Sequence, residues 1–71
     1  MDKYQIPYTN LCIRKFSERF GLSLSEAFAY LYKFGGMKFL VEFYDIEHTL
    51  PIEDTVEELM QTCADAGGHI K

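Results

Sequence analysis

The sequence predicts an all-α fold, a compact four-helix domain with short connections. Two observations carry that expectation. Glycine and proline at Pro7, Gly21, Gly35-Gly36, Pro51 and Gly67-Gly68 cut the chain into four segments. Within each segment the apolar residues recur at intervals of three and four, the period of a helix with one buried face. The 71 residues make one domain at most. With 48% hydrophobic and 15% aromatic side chains, they are too apolar for a disordered tail.

The first helix is expected at about residues 8–20. Tyr8, Cys12, Phe16 and Phe20 repeat every four positions, flanked by Leu11 and Ile13, while Lys15, Glu18 and Arg19 lie off that stripe. Gly21 ends it, because glycine enters the left-handed conformation without a Cβ clash. The second, about 23–34, opens on Ser23-Leu24-Ser25-Glu26, the spacing of a capping box. Leu24, Ala27, Phe28, Leu31 and Phe34 then fit a buried face.

The third, about 37–44, is short and almost wholly apolar. Met37, Leu40, Val41 and Tyr44 share one face, and Lys38 and Glu42 stand four apart as its charges. Alternation of Phe39, Val41 and Phe43 also fits a strand, but no partner strand is visible elsewhere. The fourth, about 51–66, starts near Pro51, with Glu53 and Asp54 where the helix dipole favours acids. Its stripe is Ile52, Val56, Leu59, Met60 and Cys63.

Cys12 and Cys63 are far apart and form no C-x-x-C motif. The N-terminal stretch does not read as a signal peptide, and no apolar run reaches the length of a membrane span. The expectation is a cytoplasmic protein with two reduced, buried thiols, a disulfide between the first and last helices being the alternative. The net charge of −4 is uneven: residues 1–36 balance to +2 and residues 37–71 to −6. An acidic surface repels nucleic acid and suits a basic protein partner; a solvated acidic helix face is its plainer explanation.

Chemistry has few places to reside. The loop Tyr44-Asp45-Ile46-Glu47-His48-Thr49-Leu50 groups a phenol, two carboxylates, a histidine and a hydroxyl. His48 beside Asp45 or Glu47 has the elements of an acid–base pair. Against that, Asp45 and Thr49 are ordinary loop and capping residues, and no nucleophile or oxyanion hole accompanies them. No second His or Cys has metal-ligand spacing around this loop. Neither a catalytic residue, nor a metal, nor a cofactor, nor a small-molecule ligand is therefore expected.

The second and third helices superficially suggest a helix-turn-helix, but residues 37–44 offer one lysine and several aromatics where base edges need Arg, Lys, Asn or Gln. More informative is the aromatic surplus. Tyr30, Tyr32, Phe39 and Phe43 fall off or at the edge of the buried stripes, and exposed aromatics in a cluster mark an interface.

At Ser25-Glu26-Ala27, Tyr30-Leu31, Phe34-Gly35, Phe39-Leu40, Glu42, Tyr44-Asp45 and His48-Thr49 the chain resembles the bacterial domain-of-unknown-function family 3791. The resemblance runs from about Leu11 to Gly67 and includes Glu53-Asp54. Its most specific piece is Tyr44-Asp45-x-x-His48-Thr49; the rest is amphipathic helix. It implies a small helical protein without established activity. Some members are encoded near a companion family resembling ADP-ribosyltransferase toxins, which implies an antitoxin or accessory role through protein binding. It supplies no site residues. The sequence thus favours a protein-interaction module, with a protein partner or a homodimer, over a helix-turn-helix regulator or a minor catalytic or metal site at His48.

Overall fold

The first helix of the structure, a computed structural model that describes residues 3–69, starts three residues earlier than the periodicity suggests: α1 spans Gln5–Phe20. Pro7 falls in its first turn, where a backbone N–H has no intrahelical acceptor, so the missing donor costs nothing. At the other end Gly21 takes φ 67°, and the N–H groups of Gly21 and Leu22 both reach the Ser17 carbonyl.

Helix α2 (Leu24–Lys33) begins on the expected capping box: Ser23 Oγ accepts from the Glu26 N–H at 3.1 Å, and Glu26 Oε1 accepts from the Ser23 N–H at 2.9 Å. Gly35 (φ 88°) turns the chain into α3 (Gly36–Glu42). Gly36 must lack a side chain: a Cβ there would lie 2.7 Å from Leu31 Cδ2 and 3.2 Å from Cys63 Sγ. This is where α3 crosses closely over α2 and the last helix.

Residues 44–50 are not an open loop. Tyr44–Glu47 form one further helical turn, α4, after a break at Phe43. The last helix, α5 (Ile52–Asp65), follows Pro51 directly, with Glu53 and Asp54 in its first turn. It ends in a Schellman arrangement. Gly67 takes φ 93°, its N–H bonds the Ala64 carbonyl, and the Gly68 N–H bonds the Cys63 carbonyl. The four longer helices match the expected segments, and among the described residues there is no strand.

Helix α1 packs on α2 and α5, α3 packs on α2 and α5, and α4 packs on α3. The core is Cys12, Ile13 and Phe16 from α1, Ala27 and Leu31 from α2, Leu40 from α3, and Val56, Leu59 and Cys63 from α5. Cys12 and Cys63 are both free thiols within it. The radius of gyration is 11.0 Å, against about 11 Å for a compact chain of this length.

One face departs from expectation. Leu24 and Phe28, assigned to the buried side of α2, are 57% and 48% exposed. The other expected members hold, Ala27 and Leu31 buried and Phe34 packed against the core, and Tyr30 joins them. Positions 27, 30, 31 and 34 fit the i, i+3, i+4, i+7 template as well as 24, 27, 28 and 31 do. Ala27 and Leu31 both sit fully buried on that face.

Candidate functional site

The break at Phe43 sets the geometry of the Tyr44–Thr49 string. Its carbonyl still accepts from the N–H groups of Ile46 (3.1 Å) and Glu47 (2.8 Å), so the chain re-enters a helix on a new axis. A helical turn puts residues 44 and 47 on one side, and these turn inward: Tyr44 is half-buried and Glu47 is buried. Asp45, Ile46 and His48 face solvent. The Tyr44 ring meets Tyr8 of α1 edge-on, with centroids 5.4 Å apart, and stacks at 4.6 Å on His48.

Two polar side chains of this string, His48 and Thr49, are bonded to backbone. His48 Nδ1 lies 2.6 Å from the Tyr44 carbonyl, to which it donates. The Thr49 hydroxyl donates to the Ile46 carbonyl at 2.7 Å. Both close the end of α4. The pairing of His48 with Asp45 or Glu47 that acid–base chemistry would need is replaced by these contacts.

Glu47 is the unusual residue. Only 4% of it is exposed, and its Oε1 is a buried oxygen without a hydrogen-bond partner. Burial, and then the hydrogen bond and charge of Glu58, push its carboxyl up to about 7. Around it, the Tyr8 hydroxyl bonds Thr55 Oγ1 at 3.2 Å, and Thr55 Oγ1 reaches the Glu47 carbonyl at 3.5 Å. Burial raises the Tyr8 phenol well above its ordinary range and the Cys12 thiol to about 11. The sequence names Glu47 only as a neighbour of His48, because a segment read as loop assigns no inward side; helical spacing from Tyr44 is the signal that finds it.

The four interface candidates separate into two pairs. Tyr32 is 73% exposed and Phe43 is also exposed. Tyr30 is half-buried: its ring stacks on Phe16 at 5.7 Å, packs on Phe34 at 5.1 Å, and its hydroxyl donates to the Gly68 carbonyl at 2.8 Å. Phe39 likewise packs against the core, touching Phe43 at 5.0 Å. What sequence reasoning missed is the partner of Tyr32. Phe28 stacks on it at 6.1 Å, and with Leu24 they make an exposed strip at positions 24, 28 and 32. Beside the strip, a groove of about 440 Å³ between α1 and α2 is lined by Asn10, Ile13, Arg14, Leu24, Ser25 and Phe28.

The model of the family described as protein of unknown function (DUF3791) matches residues 7–66. The chain belongs to this family. No curated protein and no solved structure matches it. In this DUF3791 chain Tyr44, His48 and Thr49 of the string take part in the turn of α4, while Asp45 is exposed. The exposed side of α3 carries Lys38, paired with Glu42 at 3.7 Å, and Val41. Among the described residues no group of three or more His, Cys, Asp or Glu side chains is placed to hold a metal ion, and no helix is long and apolar enough to cross a membrane.

Proposed function

We propose that this DUF3791 domain is a protein-binding module rather than an enzyme, and that its docking surface is the outer face of α2 together with the groove against α1. The observation that carries this reading is the strip Leu24, Phe28 and Tyr32. At about 100° per residue, the apolar arc of α2 runs from Tyr30 through Leu31 to Tyr32 and is about twice as wide as the arc the core covers. Three large side chains on one solvent-facing line are what a helix-surface contact uses as anchors.

The chemistry of the partner follows from the groove. Arg14 lines it beside Ile13, Leu24 and Phe28, and no acidic side chain is among the lining residues. An amphipathic helix fits there, its apolar side chains on the strip and a carboxylate against Arg14. The ADP-ribosyltransferase-like companion that the family resemblance implies is the first protein to assay, in an antitoxin or accessory role. The acidic C-terminal half, with Glu53 and Asp54 exposed on α5, is a separate surface available to a basic partner.

The experiment is a pull-down with co-expressed candidate, followed by calorimetry with the purified pair. Binding that Phe28→Ala and Tyr32→Ala each weaken, with the helical circular-dichroism spectrum intact, supports the reading. Binding that ignores both substitutions rejects this face.

A further inference from the structure

Glu47 takes no part in the binding face, and nothing in its surroundings neutralises it. From α1, the groups facing it are Tyr8 and Cys12, uncharged at neutral pH at their ordinary values and held further from ionising by burial. From α5, they are Thr55 and the carboxylates of Asp54 and Glu58. On α3 the charges Lys38 and Glu42 pair with one another. On α4 itself Asp45 is exposed, and the His48 ring is held against Tyr44. A carboxylate in that seam has lost water and gained repulsion from Glu58 and Asp54, which the Thr55 hydroxyl offsets only in part. A carboxylic acid there has no charge to desolvate, and its hydrogen can be shared with the neighbouring Glu58 carboxylate.

The element that carries Glu47 is the one least anchored. Helix α4 is a single turn of four residues, bounded by the break at Phe43, and none of the nine core side chains comes from it. We propose that Glu47 is a proton-operated latch: its acid form, bonded to Glu58, holds α4 against α1 and α5, and its ionised form releases α4.

The direction with pH follows from linkage. Glu47 holds its proton more tightly in the folded chain, to about 7 against an ordinary 4.5, than in the unfolded one. The stabilising contribution is therefore complete below the ordinary value and is lost as pH rises through about 7. This is opposite to the usual carboxylate, whose folded value is depressed.

The test is NMR of the whole chain between about pH 5 and about pH 8, following the Glu47 side-chain carboxyl carbon and the exchange of the His48, Thr49 and Leu50 amides. These amides bond the carbonyls of Tyr44, Ile46 and Glu47 and report on α4 directly. The expected result is a Glu47 midpoint well above the ordinary carboxylate range, with α4 protection falling on the order of 50-fold beyond the intrinsic pH dependence, as linkage to a shift from 4.5 to about 7 requires over this window. In Glu47→Gln, whose neutral amide still donates to Glu58, protection is expected to stay constant. Glu58→Gln, at an exposed position, is expected to lower the Glu47 midpoint. An ordinary Glu47 midpoint, or identical α4 profiles in the wild-type chain and Glu47→Gln, would overturn the latch.

Discussion

At the scale of single residues, the close approaches are made by side chains that are small or absent. Gly36 lets α3 lie against Leu31 and Cys63, so Gly36→Ala overpacks that crossing. Overpacking costs about 1–3 kcal/mol, and the better helix propensity of Ala returns up to about 1. A fall in thermal midpoint of roughly 5–10 °C, read by circular dichroism, is the expected outcome. Tyr30 tests a different contact. Its hydroxyl ties Gly68 to α2, and Phe34 packs over the same glycine. Tyr30→Phe keeps the ring stack on Phe16 and is expected to cost about 1 kcal/mol in urea denaturation. A surface tyrosine would show no change. The anchoring role of Tyr30 is not legible in the sequence, because its hydroxyl acceptor lies 38 residues away.

At the scale of elements, legibility follows local chemistry. The capping box at Ser23 and Glu26, the stop at Gly21 and the Schellman end at Gly67 are written in two to four adjacent residues, and the structure shows each of them. Ser23→Ala removes an N-cap acceptor and is expected to cost about 1 kcal/mol, again by urea denaturation. Bonding to Ser23 lowers the Glu26 carboxyl below its ordinary value. The box therefore contributes above that range and weakens as pH falls through it. The facing of α2 is a different matter. Two overlapping sets of positions satisfy the same helical template, and which set turns inward is decided by contacts with α1 and the Gly68 segment. Helix α4 escapes sequence reasoning because one turn is too short for a period, and with it goes the inward side that buries Glu47.

At the scale of the whole molecule, the domain is small enough that surface and core compete for the same apolar residues. A chain of this length buries only about 60% of its unfolded surface. Among the described residues the exposed large apolar ones fall in three groups, of which Tyr4, Ile6 and Leu11 at and after the start of α1 are the first. Leu24, Phe28 and Tyr32 line one side of α2, while Val41, Phe43, Ile46 and Leu50 are exposed along α3, α4 and the turn after it. The opposite charges of the two halves meet where Arg19 reaches Glu57 at 3.0 Å, but both side chains are more than half exposed. Such a pair contributes at most about 1 kcal/mol. Charge therefore shapes what the molecule attracts more than how it folds. Composition showed that aromatics were in surplus; which ones face solvent needed the packing of all five helices.

The central claim is tested most directly by the affinity of a captured protein for the wild-type chain and for the Phe28→Ala/Tyr32→Ala double variant, measured by calorimetry. Both rings are at the surface, so the variant is expected to keep its helical signal. Loss of two anchoring aromatics is expected to weaken binding by at least about 30-fold, the equivalent of roughly 2 kcal/mol. Equal affinity of the two chains for the same partner would contradict a docking surface on α2.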